Sequence, residues 1–321
     1  MVDADELRRA FEYIPPLTND RMFKAIFARR GHEVALVGLL NGLLGYEGDQ
    51  QVTAVEHVGT HLGGHSHSNK QMLLDLRVRD RSGRSFNVEV QRGRAAGLVP
   101  RFMSYGARML SEQHVVGDAW VELRPNIVLV IADVIIFKEH RNVYSKVLNV
   151  DVINDGVTVS DLMQWHYYEL PKLAKGSTHG CTPVALDWLH VLQSGHDYGE
   201  GRKPLPPHLA RQEGMRMTMA YYDEASTDPN VRLAAYKMRL EEEGIKTNLR
   251  EHEARGRAEG KAEGLAEGLA KGRDEGKAEE RLATARKMRA RGFTAEAIYD
   301  LTGLSLADLK QADAESQSYS S

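Results

Sequence analysis

The chain has 321 residues, of which 42% are hydrophobic and 27% charged, and a formal net charge of −3 at pH 7. That is room for one large domain or two ordinary ones around a real apolar core, and it excludes a collagen-like, mucin-like or wholly disordered polymer. A single cysteine, Cys181, rules out an internal disulfide and a cysteine-based zinc finger.

The opening MVDADELRRAFEY is acidic and lacks an apolar core, so it does not read as a signal peptide. The longest apolar stretch, Ile127 to Phe137, is interrupted by Asp133 and is too short to span a bilayer. The expectation is a reduced, soluble, cytoplasmic protein with no membrane partner, whose small negative charge still leaves room for a local basic groove. By composition, residues 1–12 read as an N-terminal arm and 13–235 as a globular domain. Residues 236–282 read as a charged helix, 283–312 as a small helical hairpin and 313–321 as a disordered tail.

In chain order, Pro15 to Asp20 reads as a loop ending in a helix cap, followed by Met22, Phe23, Ile26 and Phe27 at helical spacing. Val34 to Leu44 continues as a largely buried helix, ended by Gly45. QVTAVEHV (51–58) predicts a strand, and MLLDLRVRD (72–80) and SFNVEVQ (85–91) alternate apolar and polar residues as two more. Residues 101–115 predict a helix, 125–137 a buried strand, 142–152 a strand and 165–173 a strand or strand edge. Residues 184–194 and 208–240 predict helices. This order describes an α/β domain with a mixed sheet.

The hairpin of residues 73–91 carries the chemistry. Gly83 fits the left-handed third position of a three-residue loop, so Asp80 pairs with Arg84. Counting inward, Arg77 faces Asn87, Asp75 faces Glu89 and Leu73 faces Gln91. Leu74, Leu76, Val78, Phe86, Val88 and Val90 then form the core face, with Asp75, Arg77, Asn87, Glu89 and Gln91 on the other. Two carboxylates about 5 Å apart repel by roughly 3 kcal/mol at an effective dielectric near 20. A proton on one acid, Arg77 between them, or a divalent cation held by both would each offset this. Oxygen-only ligation favours Mg²⁺ or Mn²⁺ over zinc. His57, His61, His65 and His67 cluster around Gly63-Gly64, but without a carboxylate or cysteine partner they make a poor zinc site.

The chain resembles the PD-(D/E)XK nuclease family transposases, related to the recombination-promoting nucleases. The matching stretches are TNDRMFKAIF at 18–27, LLNGLLG at 39–45, LDLRVRD at 74–80, NVEVQ at 87–91, RFMSYGA at 101–107 and YELPKL at 168–173. The resemblance implies a restriction-endonuclease-like α/β core acting as a metal-dependent DNA endonuclease in recombination or transposon-like mobility. It implies that Asp75 and Glu89, with the Val90 carbonyl, hold Mg²⁺ or Mn²⁺. Gln91 then stands in the slot of the signature lysine, and its missing charge falls to Lys24 or Arg101. Arg101 and Tyr105, four residues apart on a helix, would contact phosphate. Glu33 is the candidate for the further acid that the first helix often supplies, although a solvated helix acid is its simpler reading. Glu169 and Lys172 match the family and read as a structural ion pair. The alternatives are a catalytically weak nuclease-fold protein that binds DNA or a partner, and an assembly scaffold.

The scaffold reading rests on glycines at 256, 260, 264, 268, 272 and 276. On a helix they form a slowly winding stripe that costs roughly 5–6 kcal/mol relative to alanine. A close partner would offset that cost, giving a homodimer or higher oligomer through residues 250–280. A mobile charged linker is the competing reading. Beyond it, Thr294 and Ser305 predict two helix caps, and Gly303 a break between them.

Overall fold

The computed structural model describes residues 4–62, 72–93, 95–113, 122–175, 177–305, 307, 308 and 310. It divides into two units, Met1–Glu242 and Glu243–Ser321.

The first unit begins with α1 (Ala4–Glu12), so the expected arm is a helix, and Ala10 is buried. At α2 (Asp20–Phe27) the Asn19 side chain caps the helix by accepting the amides of Arg21 at 3.1 Å and Met22 at 3.3 Å. The helix buries Met22, Phe23, Ile26 and Phe27. α3 (Glu33–Leu44) ends at Gly45, whose φ of +65° suits glycine.

The strands follow. β1 (Val55–His57) is shorter than the apolar pattern suggested, and β2 (His61–Leu62) pairs with β3 (Met72–Leu73) as a separate ribbon. β4 (Leu76–Asp80) and β5 (Ser85–Gln91) form the hairpin, and α4 (Leu98–Ser111) crosses over to β6 (Asn126–Ala132). β7 (Tyr144–Asp151) and β8 (Val157–Glu169) complete a six-stranded sheet in the order β1-β4-β5-β6-β8-β7. β5, β6 and β8 run parallel, and the outer pairings are antiparallel. The segment expected as an edge is thus the C-terminal half of an interior strand. β6 is buried along its whole length, as expected of a parallel strand covered on both faces. It stops at Ala132, because the amides of Ile136 and Phe137 turn to the Glu169 carboxylate instead.

One face of the sheet, with Leu76, Val78, Phe86, Val88, Ile127 and Leu129, packs on α2, α3, α5 (Pro183–Ser194), α6 (Pro207–Ala210) and α7 (Glu213–Thr227). The other face, with Val128, Val130, Trp165 and Tyr167, packs on Phe102, Tyr105 and Met109 of α4. The helix expected over 208–240 is interrupted at Asp228, whose ψ of 115° is extended, and α8 (Pro229–Ala290) starts afresh at Pro229. α8 runs through the expected boundary at 235, and the first unit closes at Glu242.

In the second unit, α9 (Ala295–Thr302) is capped by Thr294 and stopped by Gly303 with φ +72°. Ala285, Met288 and Ile298 form its small core. Ser305 Oγ accepts the Asp308 amide at 3.2 Å, as expected of a cap. The tail at 313–321 lies outside the described residues.

Candidate active site

The hairpin register is the expected one: Leu76 pairs with Val88, Arg77 with Asn87 and Val78 with Phe86. Gly83 sits at φ +86°, and its amide donates to the Asp80 carbonyl at 3.1 Å.

The ladder stops at Leu76, one residue short of the acids. Leu73 pairs with His61 rather than facing Gln91, and Leu74 packs with Leu98 and Phe102 on the opposite side of the sheet from Leu76. The chain therefore breaks its alternation at Asp75. Side chains replace the missing ladder bonds there. The Asp75 amide donates to Glu89 Oε1 at 3.1 Å, and Asp75 Oδ2 accepts the Val90 amide at 3.1 Å. The two acids are thus laced to each other's strand.

Glu89 is 4% exposed. Burial pushes its carboxyl up to about 8, and the Asp75 charge adds to the shift. The Asp75 amide, the nearby Asn87 side chain and Arg101 oppose it only in part. Arg77 does not bridge the acids, because its Nη1 is 2.9 Å from Glu112 Oε2. Lys24 does not bridge them either: its Nζ lies 3.1 Å from Asp75 Oδ1 and 2.7 Å from Asp20 Oδ1, joining Asp75 to Asp20. Burial disfavours the Lys24 charge, but its hydrogen bond to Asp20 and the charges of Asp75 and Asp20 prevail and raise its pKa.

α4 supplies the opposite wall. Gly106 lets the helix approach Trp165 closely, since a Cβ there would stand 3.0 Å from the indole ring. Trp165 Nε1 also donates to the Phe102 carbonyl at 2.9 Å. This seating brings Arg101 Nη2 to 2.7 Å from Gln91 Oε1, while the Gln91 amide donates to the Gly93 carbonyl. Burial first, then the neighbouring Glu89, raises the Tyr105 pKa and keeps its hydroxyl protonated.

A cleft of about 350 Å³ brings together Lys24, Asp75, Glu89, Val90, Gln91, Arg101 and Tyr105. Asp20, Arg92, Met238 and Glu242 also line it and were missed in the sequence. Arg92 Nη1 lies 3.5 Å from Glu242 Oε2. The signal for Asp20 was its four-residue spacing from Lys24 at a helix start, which cap chemistry alone seemed to explain.

Glu33 is not in this cleft. Its carboxylate accepts the Gly31 amide at 3.0 Å, lies 3.7 Å from His57 Nε2 and borders a separate cavity beside Trp188. The helical acid beside the pair is Asp20. His65 and His67 lie outside the described residues, among which no group of three metal-ligating side chains occurs. Glu169 and Lys172 form a buried ion pair, with Lys172 Nζ also 2.8 Å from the Phe137 carbonyl.

The donor set suits a hard cation. Asp75 and Glu89 offer only oxygen, and Glu89 is buried next to a like charge that a divalent ion would offset far better than the single ammonium of Lys24.

The family model for the PD-(D/E)XK nuclease family transposases matches residues 17–248, spanning every strand and the cleft. No curated protein and no solved structure matches the chain. With most of its length matched and the paired acids set at the break between β4 and β5, the chain belongs to the PD-(D/E)XK nuclease family transposases.

Proposed function

We propose that the protein is a divalent-metal-dependent DNA endonuclease that hydrolyses phosphodiester bonds in recombination or transposon-like mobility. The observation that carries this reading is the convergence of Asp75 and Glu89 in one open cleft with Lys24, Arg101 and Tyr105 on its walls. Asp75, Glu89 and the Val90 carbonyl would hold Mg²⁺ or Mn²⁺. That ion supplies an activated water and charge neutralisation at the phosphate.

The protein's own groups do the rest. Lys24 neutralises Asp75 in the free chain and remains tethered to Asp20 when a metal takes its place. Arg101 is the cation on the other wall, and Gln91 is its positioning residue, holding the guanidinium through Oε1. Tyr105 keeps its proton and can donate to a phosphate oxygen. The signature lysine's charge is thereby divided between Lys24 and Arg101, with a neutral amide between them.

A second reading, a catalytically weak DNA-binding protein, draws on that neutral Gln91. We also propose self-association through residues 250–280, where each repeat glycine has open space beside it. Supercoiled plasmid incubated with the protein and Mg²⁺, Mn²⁺ or EDTA separates the readings. The nuclease nicks or linearises it with metal alone. A plasmid that is bound but uncut in either metal indicates the weak binder.

A further inference from the structure

Gln91 of β5, Ala132 of β6 and Glu169 of β8 end side by side in register. The cleft opens beyond the first of them. Beyond the other two the chain builds a second depression of about 330 Å³, and five basic side chains line it: Lys138, His140, Arg141, Lys172 and Lys175.

Lys172 is committed to Glu169. The other four are exposed. Among the described residues, no carboxylate lines the depression or lies within ion-pair distance of Lys138, Arg141 or Lys175. His140 is held in place by stacking on Phe137, 4.7 Å between ring centroids, and by Ser145 Oγ at 3.1 Å from Nδ1. In a chain of net charge −3, a concave group of cations without counter-charge is self-repelling, and a polyanion relieves it.

A third hollow, lined by Gly97, Leu98 and Pro100 at the start of α4 and by Ile135 and Lys138, shares those last two residues with the basic depression. It shares no residue with the cleft, but Arg101, the next residue of α4 after Pro100, lines the cleft. The three hollows follow one another as an interrupted trough along the carboxyl edge of the parallel strands. Two strand spacings are about 10 Å, which spans roughly one to two nucleotides along a sugar–phosphate backbone.

We propose that Lys138, Arg141 and Lys175, with His140, form a phosphate subsite that grips the DNA backbone roughly one to two nucleotides from the scissile bond. The proposal rests on the nuclease reading. It adds where the substrate lies, and it accounts for DNA binding by a chain with no overall positive charge.

The test is a triple variant, K138Q/R141Q/K175Q, with K203Q/R211Q/R216Q as a control that removes three exposed cations outside the trough. Binding to a labelled 20-base-pair duplex is followed by fluorescence anisotropy in EDTA between 50 and 200 mM salt. Losing two or three phosphate contacts lowers the slope of log K against log salt by about 2–3. Affinity at 100 mM salt should then fall at least about tenfold, with the control unchanged. An unchanged slope in the triple variant, or an equal fall in the control, overturns the subsite. If the wild type still cuts plasmid in that case, the nuclease reading survives. A wild type that neither binds nor cuts DNA overturns both. A reduced slope in a protein that cuts nothing supports the subsite and refutes only the nuclease chemistry.

Discussion

Replacing Glu89 by Gln should stabilise the metal-free protein while abolishing the metal-dependent cleavage proposed for it. In the folded chain the Glu89 carboxyl is pushed from 4.5 up to about 8, by burial and then by the Asp75 charge. Between those values the folded state keeps a proton that the unfolded state has released. Stability therefore falls as pH rises through this window, by about 1.4 kcal/mol per pH unit. At pH 7 the accumulated cost is about 3 kcal/mol. Gln does not titrate, and its Oε1 can still accept the Asp75 amide. The first unit ends at Glu242, and for a unit of that size each kcal/mol moves Tm by about 2–4 °C. Thermal unfolding in EDTA should place the variant about 6–12 °C above the wild type at pH 7. The gap should close near pH 4.5. Added Mg²⁺ should raise the wild-type Tm and leave the variant unmoved. A variant less stable than the wild type at pH 7, or a gap independent of pH, would refute the picture of a buried carboxyl strained by its neighbour.

Gln91→Lys should lower plasmid cleavage rather than restore it, by roughly tenfold or more, because the new ammonium would displace Arg101 from its 2.7 Å contact with Gln91 Oε1. Initial rates in Mg²⁺ check this, and unchanged or faster cutting contradicts it. His166 is buried between Tyr144 and Gln164, and burial, then Lys146, pushes its imidazole down to about 3. The folded state refuses a proton that the unfolded state takes below about pH 6.5, so stability should fall by about 2 kcal/mol from pH 6.5 to 5. Comparing urea midpoints across this range, His166→Gln should remove that part of the slope. Replacing Gly260, Gly264, Gly268 and Gly272 by Ala should dissociate a wild-type oligomer in light scattering, while a lone helix would only gain about 3–4 kcal/mol of helix propensity. A monomeric wild type at tens of micromolar, or an unchanged oligomer in the variant, counts against association through the glycine stripe.

What was legible in the sequence had local causes. Gly83 needs a positive φ, and that fixed the hairpin register as far as Leu76 and Val88, beyond which Asp75 and Glu89 meet through side-chain hydrogen bonds rather than as a ladder pair. Asn19, Gly45 and Thr294 declare helix ends by their own hydrogen bonding or backbone freedom. What was not legible depends on partners distant in sequence. Period-two alternation could not show that the ladder stops at Leu76, because the Glu89 side chain takes over the Asp75 amide. Asp20 looked fully explained as a helix-start acid until Lys24 was seen between it and Asp75. Residue type and helix position point to Glu33, but its carboxylate accepts the Gly31 amide and lies beside His57 instead. The N-terminal half of β8 reads VTVSDLMQ, exposed for much of its length, and its pairing with β7 and, at Met163 and Gln164, with β6 holds it in the sheet. Met238 and Glu242 reach the cleft from a helix that nothing in the hairpin announces.

The proposed function requires Asp75 and Glu89 to form together a divalent-metal centre for phosphodiester hydrolysis. The most direct measurement is the initial rate of supercoiled plasmid cleavage in Mg²⁺ by the wild type and by Asp75→Asn, which removes the charge but keeps an oxygen to accept the Val90 amide. The account predicts cutting by the wild type that EDTA abolishes, and a loss of at least about a thousandfold in the variant. Cutting by Asp75→Asn at the wild-type rate, or wild-type cutting that persists in EDTA, would contradict it.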